Sequence, residues 1–413
     1  SYRGMGSLGA MAKRGRAGPA LGIAALGSFV AGTFAIVALM LVAPLLAKVA
    51  VAFGPPEYFS LMVLGLTILS FLTQGSMAKA LLMAAVGVVV GLVGLDQINA
   101  MPRLTFDRLE LVDGIGLVPV VMGLFGVAEI LTNIEQQIRR DIVQSRIGSL
   151  WPSPQDLKAS AGPIGRGTIL GFLLGVLPGG GAVISSFASY AIEKKLSRTP
   201  ERFGKGAIEG VAGPEAANNA AAGGAFIPLM TLGIPPNVIM ALLLGAFIIH
   251  GLQPGPLMMS QNPGIFWGII ASMYVGNIML LVLNMPLIGM WVQVLKAPYK
   301  ILFPLILMFC IVGVFASGNA VFDVFVMIAT GVLGYLMRKF GYEAAPLVLA
   351  FVLGPMLENN LRKGLILSEG NFDIFVTRPI SLACLVVAAL LLVAPLLPAL
   401  RKKREKVALD VTE

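Results

Sequence analysis

Residues 168 to 192 read TILGFLLGVLPGGGAVISSFASYAI, 25 residues without a charge. That length can cross a hydrocarbon core, but Pro178-Gly179-Gly180-Gly181 cuts the run in its middle and leaves two halves of about ten residues, half of what a crossing helix needs. Proline removes a backbone donor and three glycines release the backbone, so the run predicts a discontinuous helix or a re-entrant hairpin. Irregular backbone at membrane depth persists only where protein buries it or a watery cavity meets it. The amides of Gly179 to Gly181 and the hydroxyls of Ser185 and Ser186 would then sit at a helix N-terminus, a place that favours an anion.

Two further breaks follow. In Thr231-Leu232-Gly233-Ile234-Pro235-Pro236-Asn237, Gly233 is expected to end one helix and the prolines to open the next, Val238 to Ile249. In EGVAGPEAANNA, residues 209 to 220, Gly213-Pro214 is expected to open a helix with Glu215 in its first turn, where the dipole stabilises a carboxylate. Asn218 and Asn219, three and four residues on, share a face with it. Glu209 and Glu215 are the only charged side chains from Gly206 to Leu295. Acids inside a membrane segment are usually functional, although Glu215 also fits a satisfied interhelical hydrogen-bonder. Glu209 lies nearer a basic segment and fits an interfacial position as well as a site. His250 reads as a helix-end side chain, and Asn277, Asn284 and Asn319 as helix-packing hydrogen-bonders.

The wider composition agrees. The 413 residues are 57% hydrophobic and 12% charged, against about a quarter charged in a soluble domain. The fold class expected is an all-α polytopic membrane protein with about ten to twelve membrane elements. Charge-free runs at residues 21–47, 58–77 and 381–400 reach spanning length by themselves. The net charge of +9 lies in loops and at the tail, notably Arg401-Lys402-Lys403-Arg404, a topogenic pattern that puts the C-terminus in the cytoplasm and gives no nucleic-acid surface. Arg139, Arg140, Arg146, Lys158 and Arg166 mark a second cytoplasmic segment, and Lys194, Lys195, Arg198, Arg202 and Lys205 a third. Two cysteines and one histidine leave no thiol framework and no His-based metal site. No nucleophile-base pattern supports an enzyme such as an intramembrane hydrolase.

A shift of 243 residues places Pro55 on Pro298, Gly75 on Gly318 and Gly91 on Gly334, and a shift of 244 places Met83 on Met327 and Gly87 on Gly331. Two internal repeats are therefore expected, as transporters often have. The division is residues 1–130 for the remainder of a first repeat, 131–166 for a basic linker, 167–378 for the second repeat, and 379–413 for a last transmembrane helix and basic tail. By the same reasoning roughly eighty residues or more of the first repeat are expected to precede Ser1.

The run from Leu177 to Asn237, LPGGGAVISSFASYAIEKKLSRTPERFGKGAIEGVAGPEAANNAAAGGAFIPLMTLGIPPN, resembles the hallmark region of the large membrane subunit of tripartite tricarboxylate transporters, the TctA family. The resemblance extends through LLLGAFIIHGLQPGP, FGPPEYFSLMVLGL and LVDGIGLVP and covers the chain from about Met11 onward. It departs in lacking the family's earlier glycine-proline motif and in Pro236, where the family often has glycine. The resemblance implies a multi-pass secondary transporter of the bacterial inner membrane. Its partners would be a small membrane subunit and a periplasmic solute-binding protein that delivers a carboxylate of the citrate-like class, with Na⁺ or H⁺ as coupling ion and no other cofactor. The absence of a GxxxxGK[ST] phosphate loop agrees with a gradient-driven system.

On this reading Pro178, Gly179, Gly180, Gly181, Ser185, Ser186, Pro235 and Asn237 hold the anion, and Glu215, Asn218 and Asn219 hold Na⁺ or a proton. No Arg or Lys lies in these motifs, so helix dipoles and the cation must balance the anion's charge. The alternative is a truncated, non-transporting remnant or an assembly subunit of the same system.

Overall fold

An apolar chain in lipid must satisfy its backbone internally, and this one does so with helices. The computed structural model describes residues 11, 16–50, 53–72, 76–96, 98–135, 150–178, 181–287, 290 and 299–394. Its main helices are α1 (Ala17–Ala50), α2 (Pro55–Leu72), α3 (Met77–Gly91) and α4 (Leu117–Glu135), the last with a π-helical stretch at Met122–Val127. Then come α5 (Pro154–Val176), α6 (Ala182–Leu196), α7 (Glu209–Gly224), α8 (Phe226–Leu232) and α9 (Val238–Ile249). The chain continues through α10 (Pro263–Asn284), α11 (Tyr299–Gly318), α12 (Val321–Lys339), α13 (Ala344–Leu367) and α14 (Pro379–Val393). Among the described residues the strands are one two-residue antiparallel ladder, Gly94–Leu95 with Pro102–Arg103. Six helices, α1, α4, α10, α11, α12 and α13, are long and apolar enough to cross a membrane, and α2, α3, α9 and α14 are shorter apolar helices. The protein is an all-α polytopic membrane protein.

Three expected boundaries move. The run from Tyr58 to Met77 is not one span, because α2 ends at Leu72 and α3 starts at Met77. The linker expected at 131–166 is helical from Pro154 onward, where Ser153 and Asp156 form a reciprocal capping box at the start of α5. Gly213-Pro214 does not open a helix. Pro214 lies inside α7, which starts at Glu209, so Glu209 and not Glu215 is the acid of the first turn. Proline is tolerated there because it forfeits a single hydrogen bond close to the helix start. Gly210 is the residue one turn back, and the Ser186 hydroxyl donates to the Pro214 carbonyl at 3.1 Å. Residues 139, 140, 146, 298 and 401–404 lie outside the described residues, as does Gly75.

Close helix approach comes from small residues. Gly167, Gly171 and Gly175 of α5 repeat every fourth residue and meet Gly213, Ala217 and Ala221 of α7 in the same order. The two helices therefore run parallel, so close that a methyl group on any of the three glycines would collide with a carbonyl oxygen of α7. Gly87 and Gly91 bring α3 onto α13 in the same way, and Gly331 and Gly334 bring α12 onto α4. Of the positions paired by those shifts, Gly87 and Gly331 and Gly91 and Gly334 each lie at a close helix contact.

Ion pairs tie the helix ends together at two ends of the bundle. At one end Arg16 holds Asp156 at 2.6 Å, Arg338 pairs with Glu129, and Lys339 pairs with Glu135 at 2.8 Å. Lys79 joins this end by donating to the Phe340 carbonyl at 2.6 Å. At the other end Arg378 lies 3.4 Å from Glu57, and Arg103 and Arg362 bind Asp96 and Glu358. The outer faces of α10, α11 and α12 carry exposed Val275, Ile278, Phe309, Val312 and Phe325, as lipid contact requires.

Candidate functional site

The first break is a hairpin. Arg166 of α5 donates to Glu193 of α6 at 2.8 and 2.6 Å, and these two positions are equally far along the chain from the Gly179-Gly180 pair. The arms are therefore antiparallel and both return to the end of the bundle that carries Arg16 and Lys339. Of the tip residues, Gly179 and Gly180 lie outside the described residues. Pro178 rests against Gly65, near the middle of α2. Gly181 has φ 39°, a conformation that favours glycine, and no side chain caps the start of α6. The first N–H groups of α6 are therefore left without helical partners, beside the tip.

Ser185 and Ser186 do not face that opening. They are 0% and 1% exposed. The Ser185 hydroxyl donates to the Gly181 carbonyl at 2.8 Å, and the Ser186 hydroxyl is shared between the Ala182 and Pro214 carbonyls at 2.9 and 3.1 Å. Ser186 thereby joins α6 to α7.

The second break is closed by its own side chains. Gly233, at φ 71°, ends α8, with the Gly233 and Ile234 amides donating back to the Leu229 and Pro228 carbonyls at 3.0 and 3.2 Å. Pro235 and Pro236 are buried. The Asn237 side chain accepts from the Met240 amide at 3.0 Å and caps α9. Ile234 packs among Met62, Leu66 and Leu69 of α2 and Leu349 and Leu353 of α13. Both breaks therefore abut the same stretch of α2.

Glu215 lines a cavity of about 250 Å³ between α1, α7 and α10. The polar lining is Glu215 and Asn219 from α7, Ser28 from α1, and Asn277 and Asn284 from α10. Asn219 donates to the Ser28 hydroxyl at 2.7 Å, and Asn277 donates to the Phe29 carbonyl at 3.0 Å and the Thr33 hydroxyl at 2.9 Å. Among the described residues the Glu215 carboxylate has no hydrogen-bond partner. Asn218 is half-buried and is not part of this lining. Glu209 has a buried carboxylate oxygen without a partner among the described residues, which a solvated interfacial acid would not show. Asn277 is the helix-packing hydrogen-bonder expected, joining α10 to α1, and with Asn284 and Ser28 it also lines the cavity. The seven-residue spacing of the two asparagines, which puts them on one helix face, was the available signal for this second role.

The cavity and the hairpin tip stand at different depths. Gly175 meets Ala221, so the tip lies near residue 223 of α7, roughly 12 Å along the helix from Glu215 at about 1.5 Å per residue.

The described residues thus hold a helix start on the hairpin and, roughly 12 Å further along α7, a separate polar cavity at Glu215. The model of the tripartite tricarboxylate transporter TctA family matches residues 9–349. The chain belongs to this family. TctA proteins are transporter subunits of a three-component system, so this subunit works with partner subunits. Among relatives from Agrobacterium vitis, an "uncharacterized 52.8 kDa protein in TAR-I ttuC' 3'region" is 52% identical over 400 residues, covering 97% of this chain and 80% of that protein. An "uncharacterized protein in TAR-II ttuC' 3'region" is 53% identical over 240 residues, covering 58% of this chain and 99% of that protein. No solved structure matches the chain.

Proposed function

We propose that this TctA protein is the large membrane subunit of a cation-coupled secondary transporter. It would import carboxylates of the citrate-like class across the bacterial inner membrane, with a small membrane subunit and a periplasmic solute-binding protein. The observation that carries the reading is the convergence of the two breaks on α2, with Pro178 against Gly65 and Ile234 against Met62. On this reading the anion sits at Pro178 to Gly181 on the open first turn of α6, and Pro235 to Asn237 close the far side. Ser185 and Ser186 contribute by holding α6 in place. The coupling cation, Na⁺ or H⁺, sits at Glu215 and Asn219, with Asn218 on the adjoining face of α7.

The depth difference sets how coupling works. At roughly 12 Å and an effective dielectric of about 20, two unit charges interact by roughly 1.4 kcal/mol, enough for about tenfold in affinity. Direct attraction is thus modest. The rest of the coupling would pass through the α5–α7 glycine seam, which links the two levels rigidly. On this reading the basic ends of α5 and α6, with Arg338 and Lys339, face the cytoplasm, and a cytoplasmic C-terminus is what the positive-inside pattern would give.

The test is uptake of labelled citrate into vesicles that contain the complete system, with the Na⁺ and proton gradients set independently. Gradient-driven, ATP-independent accumulation that falls in Gly181→Ala and changes its cation dependence in Glu215→Gln is expected. Accumulation indifferent to both gradients would overturn the reading.

A further inference from the structure

At the end of the bundle away from Arg16 and Lys339, a cavity of about 480 Å³ is lined by the end of α3, the segment after it, α9 and α13. This is within the roughly 300–1,000 Å³ of small-molecule sites. Its charged wall is a ring of four side chains. Asp96 and Arg103 come from the ladder segment, and Glu358 and Arg362 lie one turn apart on α13. Each guanidinium touches both acids. Arg103 holds Glu358 at 2.8 and 2.9 Å and also pairs with Asp96, while Arg362 lies 2.6 Å from Asp96 and 3.3 Å from Glu358.

The two acids are held differently. The Asp96 side chain is 5% exposed and also accepts the Ile98 and Asn99 amides at 2.7 and 2.9 Å, so it builds the turn it belongs to. The Glu358 side chain is 28% exposed, and among the described residues its hydrogen-bond partners are the two guanidinium groups alone. Planar guanidinium forks bind any carboxylate in this way. Asp113 also lines the cavity. With Glu358 in place three carboxylates face two guanidinium groups, and the wall repels a further anion.

We propose that Arg103 and Arg362 form an outer carboxylate-binding site in which Glu358 is a tethered stand-in, displaced when a solute carboxylate takes its place. The proposal rests on the carboxylate-transport reading above and locates where the solute first meets this subunit. Such a site is weak by construction, because each incoming carboxylate must displace one already present. Leu244 and Ile248 of α9 and Phe351 and Val352 of α13 give the same cavity an apolar wall.

The test is calorimetric titration of the assembled complex with citrate, and with sulfate as a non-carboxylate anion. In Glu358→Gln, citrate affinity should rise about tenfold, the effect of removing one competing charge. In Arg103→Ala or Arg362→Ala it should fall by about tenfold or more, and Arg362→Lys, which keeps the charge without the fork, should fall between these and wild type. Asp96→Asn should not tighten binding, because Asp96 belongs to the turn. Glu358→Gln weakening binding in step with Asp96→Asn would make the ring a structural clasp and overturn the proposal. An equal gain for sulfate would overturn the carboxylate assignment. If wild type accumulates citrate while Glu358→Gln leaves its affinity unchanged, the outer site alone fails; if wild type accumulates no carboxylate, both readings fail.

Discussion

The hairpin tip at Pro178 to Gly181 and the break at Gly233 to Asn237 look alike in sequence, each a glycine and proline interruption in an apolar run. In the fold they are opposites. The second break is filled: two amides fold back onto α8, Asn237 caps α9, and a side chain on Gly233 would collide with the Pro254 carbonyl. At the tip, among the described residues, no side chain caps α6, and nothing beyond the chain neighbours lies within 4 Å of where a methyl group on Gly181 would sit. On the proposed function the anion is held mainly by the amides at the start of α6, and the second break is a rigid corner that presents α9.

The comparison is broken most directly by placing alanine at the two positive-φ glycines. Gly233→Ala carries both the left-handed backbone penalty and the collision, together roughly 2–5 kcal/mol, and should lower the yield and thermal stability of the purified protein sharply. Gly181→Ala carries backbone strain of about 1–3 kcal/mol without a collision among the described residues, so the protein should lose less stability and remain folded. Its uptake affinity should fall by about tenfold, since a shifted tip misdirects amides worth up to about 2 kcal/mol to an anion. If the two variants lose stability equally, or if Gly181→Ala transports with wild-type affinity, the distinction between an open and a filled break is wrong.

Glu215→Gln tests the level below the tip. Because Glu215 stands roughly 12 Å away along the helix, the substitution should weaken the apparent affinity for the coupling cation by about tenfold. At saturating cation it should change substrate affinity by no more than about threefold. Asn219→Ala should act in the same direction and more weakly, having lost the amide that reaches Ser28 at 2.7 Å. Substrate affinity falling as far in Glu215→Gln as in Gly181→Ala would place cation and anion in one site and merge the two levels.

Much of this was legible because glycine and proline act on their own backbone. The interruptions at Pro178 and Gly233 needed no knowledge of neighbours. The hairpin could also have been distinguished from a through-going helix: Lys158 and Arg166 before the break and Lys194 and Lys195 after it carry the same topogenic sign, and only a hairpin returns both flanks to one side. Pro214 was misread because whether a helix runs through a proline depends on what surrounds it, here the glycine one turn back and the Ser186 hydroxyl from α6. The roles of Ser185 and Ser186 depended on rotation about a helix whose neighbours were unknown. The ring of Asp96, Arg103, Glu358 and Arg362 joins residues some 255 positions apart and leaves no local trace.

The smallest effect discriminates most finely. Asn237→Ala removes the cap of α9 and should lower stability by about 1 kcal/mol, while Asn237→Ser, which can still accept from the Met240 amide, should recover most of it. If the second break is only a corner, substrate affinity should stay within about twofold of wild type in both variants, because no anion depends on it. If the break is a second anion site, freeing the amide that Asn237 now occupies should raise affinity in the alanine variant and return it to wild type in serine. Comparing stability and affinity across the pair therefore separates a cap that shapes the site from a donor set that binds the solute, and a gain in affinity there would move half of the anion's hold from α6 to α9.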